Sequence, residues 1–151
     1  MAAAVTVSAC ATDNSTTTPP RTAEQTVQTL TQKVPTARSS VVYTAENDPN
    51  HLLGRPGGYL SKASFTDSRI NTASLGGTPA GAVDLGGSVE TYADAAGAQN
   101  RMTYIQGITK TNPVLGEYDY TAGSALIRVS RFLAPQQAAD YQIAAKQIAA
   151  G

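Results

Sequence analysis

A chain of 151 residues is about the length of one domain. Its 11 basic residues balance its 11 acidic ones and are scattered singly from Arg21 to Lys146, so the basic stripe of a nucleic-acid binder is missing. No run of about 20 apolar residues is present to cross a bilayer. One cysteine with one histidine excludes an intrachain disulfide, and with it a zinc site of four cysteines or of two cysteines and two histidines.

Charged residues make up 15% of the chain, against about 25% in a typical globular protein. Thr, Ser, Ala and Gly fill the difference. Such a composition suits a weakly charged extracellular surface, and equally a GC-rich genome.

At the N-terminus, Val7-Ser8-Ala9-Cys10 looks like the lipobox of bacterial lipoproteins, with small residues for the signal peptidase and a thiol to carry the lipid. Two or three acyl chains on Cys10 give stable anchoring where one is marginal. The nine residues before Cys10 contain no basic residue and are shorter than a full leader, so residues 1–10 read as a leader remnant. The polar stretch that follows, ending in Pro19-Pro20, cannot bury enough apolar area to order itself and reads as a tether over 11–21. Residues 22–151 are left as one folded domain.

Thr22-Ala-Glu-Gln25 has the form of a capping box; Val27, Leu30 and Val34 follow at helical spacing, and Pro35 stops the run. Val41 to Thr44 is rich in β-formers and predicts a strand, as does Ser61 to Asp67. Residues 71–86, with Gly at 76, 77, 81 and 86, predict a loop, and Gly87 to Tyr92 the next strand. Asp94 can cap a helix to about Thr111, with Ala98, Met102, Ile105 and Ile108 on one face and Asn112-Pro113 ending it. Glu117 to Thr121 and Ser124 to Val129 flank a turn at Ala122-Gly123. Pro135 suits the first turn of a last helix, whose Ala138, Tyr141, Ala145 and Ile148 form an apolar stripe. Adjacent strands with no helix between them predict an α+β fold: an antiparallel sheet of about five strands with helices packed on one face.

The most distinctive stretch is Asp48-Pro-Asn-His-Leu-Leu-Gly-Arg-Pro-Gly-Gly-Tyr-Leu-Ser-Lys62. It resembles a family of small, mostly uncharacterised lipoproteins of Gram-positive bacteria, actinobacteria especially, with relatives in their phages and prophages. The resemblance runs over about 41–148. It includes the Gly86 to Asp94 strand, the Glu117 to Val129 hairpin and the Pro135 to Tyr141 start of the closing helix. It implies an envelope location and supplies no activity.

Physically, the motif predicts a rigid loop. Each residue before a proline is held extended, while Gly54, Gly57 and Gly58 permit positive φ or close approach. One reading makes Arg55, with Asn50, His51 and Tyr59, a candidate binding surface for an anion or a sugar. The other pairs Arg55 with Asp48 or Asp67 to pin the loop, with Leu52 and Leu53 in the core.

No residue is assigned a catalytic or metal role, and no cofactor is expected. His51 stands without a Gly-x-Ser-x-Gly elbow or a marked orienter. Glu90, Glu117 and Asp119 alternate with Val89, Tyr118 and Tyr120, which predicts a solvent-facing row rather than a glycosidase pair. The resulting expectation is a non-enzymatic binding module lipid-anchored through Cys10 at the outer face of the cytoplasmic membrane, its partner another envelope or phage protein. One alternative is a phage- or prophage-encoded lipoprotein that excludes superinfecting phage. The other is a cell-wall hydrolase using His51 or Glu90.

Overall fold

Among the described residues, two of three α-helices cover one face of a five-stranded antiparallel sheet, and the third crosses the opposite face. The computed structural model describes residues 19–151; Cys10, the leader remnant and all but the end of the expected tether lie outside the described residues.

Helix α1 (Ala23–Lys33) opens on the capping box read from the sequence: Thr22 Oγ1 accepts from Gln25 N and Gln25 Oε1 accepts from Thr22 N. Strands β1 (Ala37–Val42) and β2 (Ser61–Asp67) pair next, joined by the long 43–60 loop. Strand β3 (Gly86–Thr91) is central and buried along its whole length. Helix α2 (Ala95–Thr111) is capped by Asp94, whose Oδ1 accepts from Gly97 N at 2.8 Å. Strands β4 (Glu117–Ala122) and β5 (Ala125–Ser130) form the hairpin, and α3 (Pro135–Ala150) closes the chain. The strand order is β1-β2-β3-β5-β4.

The apolar stripes dictate the layering. Val27 and Leu30 of α1 and Ala138, Tyr141, Ala145 and Ile148 of α3 pack on Ala63, Phe65, Val89, Ile127 and Val129. Phe65 stacks on Tyr141 with ring centroids 5.1 Å apart. Successive strand residues point to opposite faces, so Leu126 belongs to the other side, where it meets Tyr59, Tyr92, Ala98 and Ile105.

The antiparallel five-strand α+β architecture is as expected, and the placement of helices needs a correction. Helices α1 and α3 share one face, but α2 takes the other, because one sheet face has no room for a third helix. Two boundaries also move. The first strand begins at Ala37 and not Val41, since residues 37–39 pair with 65–67, and the hairpin turn falls on Gly123-Ser124, where Gly123 has φ 58°.

Candidate functional site

On the α2 side, the sheet presents a polar floor. Register places Ser64, Ser88, Arg128 and Asp119 in one row across four strands, with Lys62 beside Glu90 one step along. This overturns the solvent-facing row expected for the acids: Glu90 is 0% exposed and the Glu117 side chain only 8%. Period-two alternation looks the same whether polar side chains meet water or the underside of a helix.

These charges answer one another. Glu90 accepts from Arg101 Nε at 3.0 Å, from Arg128 Nη1 at 3.1 Å and from the Tyr92 hydroxyl at 2.9 Å. Arg128 also grips both oxygens of Glu117, at 2.6 and 2.9 Å. Burial works against the Arg128 charge, yet the hydrogen bonds and charges of Glu117 and Glu90 outweigh it and raise its pKa. Asp119 lies beyond this chain of ion pairs. Its carboxyl is raised to about 8, first by burial and then by the neighbouring Glu117.

The glycine-rich loop is organised around Asp48, which is buried. Its carboxylate accepts from the Tyr59 hydroxyl at 2.6 Å, from the backbone N–H groups of Asn50, Leu52 and Leu53, and from Lys62 Nζ at 3.3 Å. Burial pushes the Asp48 pKa up. The Tyr59 hydroxyl, the backbone donors and the Lys62 charge outweigh that and hold it well below the ordinary carboxylate range. Gly54 and Gly57 take positive φ (71° and 75°), and a Cβ on Gly58 would collide with the Leu52 carbonyl. The loop therefore requires glycine at all three positions.

Two clefts flank α2 and share Arg101 and Tyr104. One, of about 840 Å³, lies between the loop and α2, with Arg55, Leu60 and Asn100 on its walls. The other, of about 710 Å³, opens over the polar floor and is lined by Lys62, Ser88, Arg128, Tyr43, Ile108 and Leu115 among others. A smaller hollow of about 270 Å³ lies on the opposite side near Arg69 and Asp140, which are already paired at 2.7 Å.

The four loop residues singled out from the sequence do not converge. Arg55 lines the first cleft and Asn50 the second. His51 is an exposed turn residue at φ 51° and lines neither. Tyr59 is fully buried with its hydroxyl on Asp48, so it shapes the loop from within. The expected ion pair of Arg55 with Asp48 or Asp67 is not formed. Asp48 is taken by Lys62, and Asp67 by Arg69 at 2.7 Å and Tyr141 at 2.6 Å. Leu52 and Leu53 do pack inward, against the Tyr59–Leu126 cluster.

Sequence reasoning missed Lys62, Ser88, Arg101 and Arg128. The available signal was α2 itself: an amphipathic helix needs a face to cover, and the Ala63 side is claimed by the stripes of α1 and α3. Among the described residues no three His, Asp or Glu side chains gather as metal ligands would. No family model, curated protein or solved structure matches the chain.

Proposed function

We propose that this chain is a non-enzymatic binding module of the cell envelope, lipid-anchored through Cys10, that receives its ligand along α2. The address is supported by Val7-Ser8-Ala9-Cys10 and the polar stretch after it. One observation carries the binding reading: five ionisable groups beside the polar floor are committed to partners, while Arg55, Asp84, Asp94 and Arg131 on the cleft walls form no ion pair among the described residues. Glu90, Arg101, Arg128 and Glu117 form a continuous chain of ion pairs, and Lys62 is held by Asp48. Such groups can orient a ligand. General-base or nucleophilic catalysis needs a free lone pair, or a proton to give, at the reacting atom. A wall-hydrolase mechanism using His51 or Glu90 gains no support, since His51 lines neither cleft and Glu90 has no exposed surface. Tyr104, shared by both clefts, is 61% exposed, as suits an amphipathic contact residue.

The test has two arms. The protein expressed behind a complete secretion leader should fractionate with membranes and gain lipid mass at Cys10, and Cys10→Ala should abolish both. Incubation with purified cell wall should release no fragments detectable by mass spectrometry. Soluble, unmodified parent protein removes the envelope address, and fragments released by the parent remove the non-enzymatic reading.

A further inference from the structure

The strongest unspent feature of the α2 face is the Ser88 hydroxyl. Ser88 is 1% exposed in the centre of β3, on the floor of the 710 Å³ cleft, and its Oγ has no hydrogen-bond partner among the described residues. Its cross-strand neighbour Ser64, by contrast, accepts from Val41 N at 3.0 Å. Buried polar side chains are nearly always paired, so a hydroxyl left over beneath a cleft points to a group that arrives from outside. In the same cross-strand row, beyond Arg128, Asp119 Oδ1 is a second buried oxygen without a partner among the described residues.

The charge pattern narrows what that group can be. Arg101, Arg128 and Lys62 each have a carboxylate within 3.3 Å. At the floor an anion would have to displace a bidentate Glu117 and a cation would face two guanidinium groups, while Arg131 and Asp84 on the walls, in no ion pair among the described residues, offset each other in charge. A neutral ligand meets neither obstacle. It would find the Ser88 hydroxyl and the Arg128-bound Glu117 carboxylate below it, with the Tyr43 and Tyr104 rings and Ile108 on the walls. The C–H faces of a sugar ring suit such walls, and its hydroxyls suit such a floor. The volume lies within the range of about 300–1,000 Å³ usual for small-molecule sites.

We propose that the cleft above Ser88 binds a neutral polyhydroxylated ligand of the pyranose class, with Ser88 as the hydroxyl-recognising residue at its floor. This assignment rests on the binding reading given above and names its ligand chemistry.

The full chain would be titrated with tri-N-acetylglucosamine, maltotriose and mannotriose, and separately with inorganic phosphate and a neutral tripeptide. Backbone amide shifts report the site, calorimetry the affinity and mass spectrometry any cleavage. At least one trisaccharide should give saturable shifts centred on Ser88, Arg128 and the facing turn of α2. Ser88→Ala should weaken that binding about tenfold, the loss of one well-made hydrogen bond. Its melting temperature should be unchanged or higher, because the hydroxyl has no partner to lose. Failure of all three sugars to saturate, or unaltered affinity in Ser88→Ala, overturns the assignment, and saturation by phosphate alone does so in favour of an anion. The tripeptide shifting these amides while the sugars do not would remove the ligand class and keep the binding module. Cleavage of a bound sugar would do the reverse.

Discussion

The two faces of the sheet are held together by different physics. On the α1/α3 face, Phe65, Val89, Ile127, Val129, Leu30 and Tyr141 are all at most 1% exposed, and stability there scales with apolar area and packing volume. One buried charge, Asp67, sits at its margin, satisfied by Arg69, Tyr141 and Thr36. On the α2 face, burial falls instead on Lys62, Ser64, Ser88 and Glu90, and stability depends on each polar group finding its partner. An apolar face tolerates a change of shape better than a change of volume. A polar network tolerates neither when the change strands a partner.

The largest expected effects separate these regimes. Glu90→Ala leaves Arg101 and Arg128 facing each other across an empty position and should cost about 3–5 kcal/mol. Phe65→Ala should cost a similar ~3–5 kcal/mol through its cavity. Volume-conserving changes are what tell the faces apart. Ile127→Leu should stay under about 1.5 kcal/mol, whereas Glu90→Gln, equally close in volume, should exceed it because the charge is what the two guanidiniums require. Urea unfolding of the four variants measures this. A Glu90→Gln protein as stable as Ile127→Leu would mean the ion pairs of this face contribute little.

A smaller effect tests the loop. Asp48→Asn keeps the size and removes the charge that Tyr59, Lys62 and three backbone N–H groups share. The loss of one charged hydrogen bond's worth puts the cost at roughly 1.5–3 kcal/mol near neutral pH. The sign with pH follows from the direction of the shift. A carboxyl whose folded pKa lies below its unfolded value, about 3.9, contributes fully above that value. Its contribution is lost as pH falls toward the folded pKa. The gap between parent and Asp48→Asn should therefore be widest above about pH 4 and shrink below it, read as urea midpoints between neutral and acid. A gap that stays constant on acidification would show that the carboxylate is not what the loop holds.

How much of this was legible in the sequence differs between the faces for the same reason. The stripes of α1 and α3 are spaced so that only one side can be buried, and Thr22 with Gln25 fixes where the first helix starts. Strand β2 and all three helices therefore fall within a residue or two of expectation. The polar floor was legible in its composition and illegible in its environment, because Glu90 and Glu117 alternate with apolar residues as solvent-facing acids do. What buries them is α2, and that depends on tertiary competition for the other face. The motif glycines were readable as turn-makers. The partner of Asp48 was not, since Lys62 and Arg55 are equally available along the chain and only the fold brings Lys62 beneath the loop.

The smallest effect concerns Asp119, where the comparison is sharpest because its sign is opposite to that of Asp48. Burial and the neighbouring Glu117 raise its carboxyl to about 8 in the folded protein, while the unfolded chain releases that proton near pH 3.9. Between those values the folded state binds more protons than the unfolded one, so stability falls as pH rises from about 4 to about 8 and is level above. Asp119→Asn, which cannot ionise, should lack this decline and melt higher than the parent at pH 9. Below about pH 4 the two should melt together. The side chain is only partly buried, so the difference should stay within about 4 °C. A parent that outlasts the variant at pH 9 would mean that Asp119 is ionised and stabilising beside Arg128.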